Sequence, residues 1–305
     1  MFIASIMLIM NTLPTKTKVL ILKCLVEGMS IRSTSRIADV SRNTVTKLLV
    51  DAGRVCSEYQ DMALRNLSCT RIEVDEIWSF VYAKNKNVPT AKNPPRLAGD
   101  VWTWTAICAD TKLVPSWRLG DRSSATAIEF MDDLRSRLDN RVQLTSDGHK
   151  SYLEAVEGAF GGDVDYAQLI KVYGGSADLK SESRYSPGKC NGIQRKVVEG
   201  NPDPDGISTS YVERQNLTMR MSMRRFTRLT NAFSKKMENH DHAVALHFMY
   251  YNFCRIHQTL QVTPAMEAGV TDRLWDVSDI VKMVEDVQPV PNRPKTYKKK
   301  SDISN

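Results

Sequence analysis

A chain of 305 residues with 42 Lys and Arg against 35 Asp and Glu carries a formal charge of +7 and an isoelectric point near 9.0. That length is ample for a buried core and leaves room for more than one domain, and the basic excess suits a polyanionic partner such as nucleic acid. The six Cys (24, 56, 69, 108, 190 and 254) form no C-x-x-C pair and no metal-finger spacing, which excludes a zinc finger and points to free thiols in a reducing, cytoplasmic setting.

Residues 1–12 are apolar but too short to span a bilayer, and they lack the basic start of a secretory signal. They read as a disordered or mis-annotated lead, with Met7 or Met10 as the alternative start. No later segment is long and apolar enough to cross a membrane, so no membrane partner is expected.

Residues 13–55 read as three helices in an all-α helix-turn-helix unit. Val19, Leu22, Leu25 and Val26 give helical apolar spacing that stops at Gly28, Ser30 can cap a short second helix, and Ser41 can cap a third carrying Val45, Leu48 and Leu49 inward. Arg42, Asn43, Thr46 and Lys47 face outward at the start of that third helix, where major-groove readers place side chains that pair with base edges. The alternative is a packing module whose polar face is simply solvated. Residues 56–70 continue as a linker helix.

Strands rich in Val, Ile, Trp and Tyr are expected at 71–82, 101–109 and 112–119, with a basic, proline-bearing loop over 84–96. A helix at 123–138, a strand at 141–146, a helix at 150–157 and a strand at 164–172 follow. Three strands, then helix, strand, helix, strand is the order of a ribonuclease-H-like mixed sheet flanked by helices. The catalytic domain would span 71–260. Residues 173–206 break every periodicity and form an insertion to which the pattern assigns no structure. Helices resume at 208–225 and 233–256, and 261–305 form an extension ending in a disordered basic tail.

Three acids stand out on this frame. Asp75 lies within the first strand, among Val74, Ile77 and Trp78, where an unpaired carboxylate is costly to bury. Asp147 closes the fourth strand, although Asp-Gly is also a common turn. Glu213 sits at the start of a basic helical segment, where Ser210-x-x-Glu213 also matches a capping box. Glu76 alternates to the opposite face from Asp75 and is a poor substitute, and Asp203 and Asp205 compete for the third position from a loop. Carboxylates are hard oxygen donors, and a set of them can hold two divalent ions for phosphodiester chemistry. His149 and His257 are support candidates; His149 could equally be an ordinary helix-start residue.

These residues carry a resemblance. Val-Asp75-Glu-Ile-Trp, Thr-Ser-Asp147-Gly-His-Lys-Ser-Tyr, Tyr-Val-Glu213-Arg-Gln-Asn and Tyr251-Asn252-Phe-Cys-Arg255-Ile-His257-Gln-Thr-Leu260, in this order, resemble DDE-type bacterial insertion-sequence transposases of the IS1-like family over residues 13–277. Members that carry an N-terminal zinc finger differ from this chain. The resemblance implies that Asp75, Asp147 and Glu213 hold two Mg²⁺ or Mn²⁺ ions. It implies that water cuts the strand at the element's end and that the freed 3′-hydroxyl attacks target DNA. Arg220, two helical turns beyond Glu213, would hold DNA beside the metals, with Arg214 and Arg224 on the phosphate backbone. Tyr251, Asn252, Arg255 and His257 would pack against the core or contact DNA. The partners implied are double-stranded DNA, at element ends and target, and further copies of the chain in a synaptic complex. A ribonuclease-H-like nuclease or junction resolvase without strand transfer, and an inactive DNA-binding derivative, are the alternatives.

Overall fold

The computed structural model describes residues 13–173, 190–227 and 230–287. The expected lead at 1–12 and basic tail at 289–305 lie outside the described residues. Three helices open the chain, α1 (Thr15–Val26), α2 (Ile31–Ile37) and α3 (Arg42–Ala63). The Ser30 and Ser41 side chains accept from the backbone N–H groups of Ser33 and Thr44, satisfying the first turns of α2 and α3 as their types predict. The expected boundary at 55/56 falls inside α3, which continues to Ala63, and residues 64–70 of the expected linker helix are not helical. The second half of α3 carries Val55, Cys56 and Gln60 into the interior, so burial continues past the three-helix unit.

The sheet holds β1 (Arg71–Val81), β2 (Gly99–Cys108), β3 (Trp117–Gly120), β4 (Val142–Ser146), β5 (Val164–Tyr173) and β6 (Cys190–Glu199), in the order β3-β2-β1-β4-β5-β6. β1 pairs antiparallel with β2 and parallel with β4, and β4 pairs parallel with β5. Helices α4 (Ser124–Arg137) and α5 (Ser151–Phe160) make the β3–β4 and β4–β5 crossings. This is the ribonuclease-H-like mixed sheet flanked by helices. Tyr152 of α5 reaches Glu76 on one face of β1, while Asn216 of α6 (Ser210–Ser222) reaches Asp75 on the other. α7 (Met237–Met249) joins α6 on that second face through His240, which bonds Ser79 of β1 at 3.1 Å. A π-helical turn (Tyr250–Cys254), the short α8 (Pro264–Glu267) and α9 (Val277–Val287) complete the chain.

Three features depart from the sequence pattern. β3 starts only at Trp117, because the backbone N–H and C=O of Val114 are taken by Asn252, at 3.0 Å each, instead of by a neighbouring strand. Part of the 173–206 insertion is the regular strand β6, paired antiparallel with β5 and exposed along its whole length. With no face buried it shows no alternation to read. The extension after 260 contains α9, whose Ile280, Val281 and Val284 are buried. It is tied to α1 by Lys18 and Glu285 at 2.8 Å.

One continuous apolar cluster takes in Ile21 and Leu49 from the first helices, Val74 and Trp104 from the sheet, Phe248 from α7 and Ile280 from α9. Close packing joins α3 to α7, where a Cβ on Gly53 would come within 2.3 Å of His242. All six cysteines are free. Among the described residues no helix is long and apolar enough to cross a membrane.

Candidate active site

The carboxylate-bearing rim lies where β1 and β4 run side by side. Their ladder pairs Glu73 with Thr145, so Asp147, two residues past that pairing, leaves the sheet level with Asp75. Asp75, Glu76 and Asp147 each offer a carboxylate oxygen, and these lie within 4.8 Å of one another. The structure therefore brings Asp75 and Asp147 together. Glu76 corrects the expectation: although the strand turns it to the opposite face, it joins the cluster. The reason is that Asp147 sits off the end of β4, at a rim that a side chain from either face of β1 can reach.

Glu76 is held there. Its oxygens accept from Arg122 Nε at 2.5 Å and from the Tyr152 hydroxyl at 3.0 Å. Arg122 also lies 3.8 Å from Asp147 and stacks its guanidinium 4.8 Å from the centre of the Trp102 ring. Asp75, partly buried, accepts from Asn216 Nδ2 at 2.8 Å. Burial, then the charges of Glu76 and Asp147, raise the Asp75 carboxyl to about 7, and Glu213 adds to the effect. Burial and Asp147 likewise raise Glu76, against the pull of Arg122. A set of hard oxygen donors whose repulsion is offset by one exposed guanidinium fits a divalent cation.

Glu213 stands beside this cluster but outside it. It is exposed, paired with Lys171 of β5, and accepts from the Thr209 hydroxyl at 2.6 Å. The capping-box alternative is not what the helix start uses, since the N-cap is Thr209 and the backbone N–H groups of Tyr211 and Val212 donate to Glu73 at 2.7 and 3.0 Å. Glu73 thus pins the start of α6 to β1, two residues along the same strand face from Asp75. Asp203 accepts from the Asp205 N–H, and neither belongs to the cluster.

His149 bonds Asp147 through its backbone N–H at 2.9 Å, while its ring meets Trp104 and Tyr152 edge-on and its buried Nδ1 has no partner. His257 bonds Thr259 and is not at the cluster. Tyr251 and Asn252 pack inward, on Lys112 and Val114. Arg42, Asn43 and Lys47 are exposed at the start of α3, with Lys47 paired to Asp51 and the Thr46 hydroxyl bonded to the Arg42 carbonyl. Arg214 and Arg224 are exposed and Arg220 is half-buried.

Glu73, Asn216 and Arg122 were missed by the sequence reading. The first two carried a signal, since Glu73 shares Asp75's face at a spacing of two and Asn216 follows Glu213 by three on one helical face. Arg122, in the β3–α4 connection, carried none.

No protein-family model matches the chain, and no curated protein matches it. Similar solved structures include a synaptic complex of piggyBac transposase with hairpin DNA (TM-score 0.42, 8% identity, covering 92% of this chain and 73% of that one). The Mos1 mariner paired end complex with Mn gives 0.26 and 9% identity, covering 75% and 74%. The Mos1 strand transfer complex gives 0.22 and 12%, covering 79% and 77%.

Proposed function

We propose that the protein is a metal-dependent DNA-processing enzyme, a DDE-type transposase of the insertion-sequence kind, that binds element ends and cuts and joins DNA strands. The observation that carries this reading is the acid cluster of Asp75, Glu76 and Asp147 on the central strand pair of a ribonuclease-H-like sheet, with Glu213 of α6 outside it but close enough for its charge to act on Asp75. Asp75, Asp147 and Glu213 would hold two Mg²⁺ or Mn²⁺ ions, with Glu76 a further carboxylate at the same place. Such ions, when bound, act as Lewis acids on a phosphoryl oxygen and lower the pKa of water.

The chain's own groups set up that chemistry. Asn216 fixes one Asp75 oxygen through a donated N–H, which leaves the other oxygen to bind. Glu73 holds α6 against β1 and so fixes where Glu213 stands. Lys171 neutralises Glu213 and must release it for Glu213 to serve as a ligand. Arg122 keeps Glu76 oriented and offsets part of the cluster's charge. On the DNA side, Arg42, Asn43, Thr46 and Lys47 at the start of α3 would read base edges as a helix-turn-helix, and Arg214, Arg220 and Arg224 would follow the phosphate backbone. Joining two element ends calls for at least two copies of the chain.

The test is a supercoiled plasmid carrying the element's ends, incubated with the protein and Mg²⁺ or Mn²⁺. Nicked and strand-joined products that vanish in EDTA are expected. Nicking without joining would leave a nuclease, and no cleavage with either ion would overturn the enzymatic reading.

A further inference from the structure

A recessed cleft of about 940 Å³ lies between the first three helices and the far end of α6, well away from the acids. Its lining includes Ser234, which bridges to Val81 at the opposite end of β1. Six residues separate Val81 from Asp75, roughly 20 Å of strand. The walls are set by close contact: Gly28, at φ +77°, turns the chain between α1 and α2 where a Cβ would come within 3.0 Å of the Met221 carbonyl.

Five cations line this cleft, Arg32, Arg42, Arg224, Arg225 and Lys235, and none of its described lining residues is acidic. Among the described residues, none of the five is paired with a carboxylate. Arg225 is the most enclosed; it donates to Ser234 Oγ at 2.7 Å, and burial lowers its pKa to about 10. His247, 3% exposed, also lines the cleft, and neither of its ring nitrogens has a hydrogen-bond partner. Burial keeps that imidazole neutral, with its pKa lowered to about 3, so it adds a polar but uncharged group behind the cleft wall. Half-buried Leu25 and Phe233 supply apolar surface, backed by the buried leucines Leu49 and Leu246. Five cations without a carboxylate partner, one of them, Lys235, lying over the Phe233 ring at 4.7 Å, together with an unpartnered buried imidazole and an apolar side, describe a site for a phosphate attached to an apolar, flat body.

We infer that this cleft is a second nucleic-acid site that holds a single DNA strand by its phosphates, with a base against the apolar surface of Leu25 and Phe233. It rests on the proposed DNA-processing function for the identity of its ligand. A cavity of this size matches a small-ligand pocket. A cavity of that volume is small for a duplex, so a single strand is the occupant proposed. Arg42, proposed above as a base-reading residue, also lines the cleft.

The test uses the full chain in EDTA, so that binding is read without cleavage. Fluorescence anisotropy would follow a labelled mixed-base 12-mer, as a single strand and as a duplex, with the wild type and the double variant Arg32→Ala/Lys235→Ala. The variant is expected to bind the single strand at least ~5-fold more weakly, with its salt slope reduced by about 1.4, two contacts at ~0.7 each. Duplex affinity should change less than about twofold. The variant Arg32→Lys/Lys235→Arg, which keeps both charges, should recover most of the loss, and a circular dichroism melt confirms that each variant is folded. Unchanged single-strand binding, or an equal loss on duplex, would overturn the inference. So would displacement of the single strand by deoxyadenosine monophosphate as readily as by an unlabelled 12-mer, which would make the cleft a free-nucleotide site. If the protein nicks DNA normally but the cleft variants bind both DNAs like the wild type, only this inference falls. If no cleavage occurs while strand discrimination holds, only the enzymatic reading falls.

Discussion

Replacing Asp75 with Asn should make the metal-free protein more stable while destroying its metal site. The carboxyl is raised from an ordinary 3.8 to about 7 in the fold by burial and by the neighbouring charges of Glu76 and Asp147. A carboxyl whose folded pKa lies above its unfolded one binds its proton more tightly when folded. Its contribution is therefore intact below about pH 4 and is progressively lost as pH rises to about 7. At 1.36 kcal/mol per pKa unit the loss amounts to about 1.6 kcal/mol at pH 5 and about 4 kcal/mol at pH 8. Asn has the same shape, does not titrate, and can still meet Asn216. Urea unfolding in EDTA at pH 5, 6, 7 and 8 should show the stability gap between Asp75→Asn and wild type widening with pH. Mg²⁺ at about 100 times its Kd should return about 2.7 kcal/mol to the wild type at pH 8 and nothing to the variant. Parallel pH curves for the two proteins would refute the crowded-carboxylate account. An equal gain from Mg²⁺ in both would refute Asp75 as a ligand.

Asp147→Asn and Glu213→Gln should each abolish metal-dependent nicking while leaving a gel shift with end DNA largely intact, because each removes a donor charge and keeps the shape; full nicking by either would remove that residue from the site. Glu73→Ala should cost about 2–3 kcal/mol in urea unfolding, since two backbone N–H groups lose a charged acceptor; Glu73→Gln, which retains an acceptor oxygen, should cost less, and equal costs would mean that packing and not the hydrogen bonds holds α6. Asn252→Ala should cost about 2–4 kcal/mol, because the buried Val114 backbone is left with neither partner; a melting temperature within a degree of wild type would contradict this. Arg220→Ala should lower the salt slope of duplex binding by about 0.9 and slow strand joining without changing Mg²⁺ affinity; identical slopes with normal joining would make Arg220 an ordinary helix residue.

The order of strands and helices was legible in the sequence wherever an element buries one face. β1, β2 and β4 are runs rich in β-branched and aromatic residues, buried along most of their length, and α3 and α5 have capped or amphipathic starts, so local composition and final position agree. β6 was illegible because it buries nothing, and the start of β3 because a side chain 138 residues away takes over the backbone of Val114. Asp75 and Asp147 could be picked out as acids at a strand and a strand end. Their meeting depended on the parallel pairing of β1 with β4, which no local pattern encodes. Glu76 shows the limit most clearly. Alternation correctly puts it on the far face of β1, yet the rim of the sheet, Tyr152 from α5 and Arg122 from the β3–α4 connection bring its carboxylate to Asp147. Residue chemistry and period are local properties carried by the sequence. Which charges share a space, and which cations line a cleft without an acid to pair them, is decided only when distant segments pack.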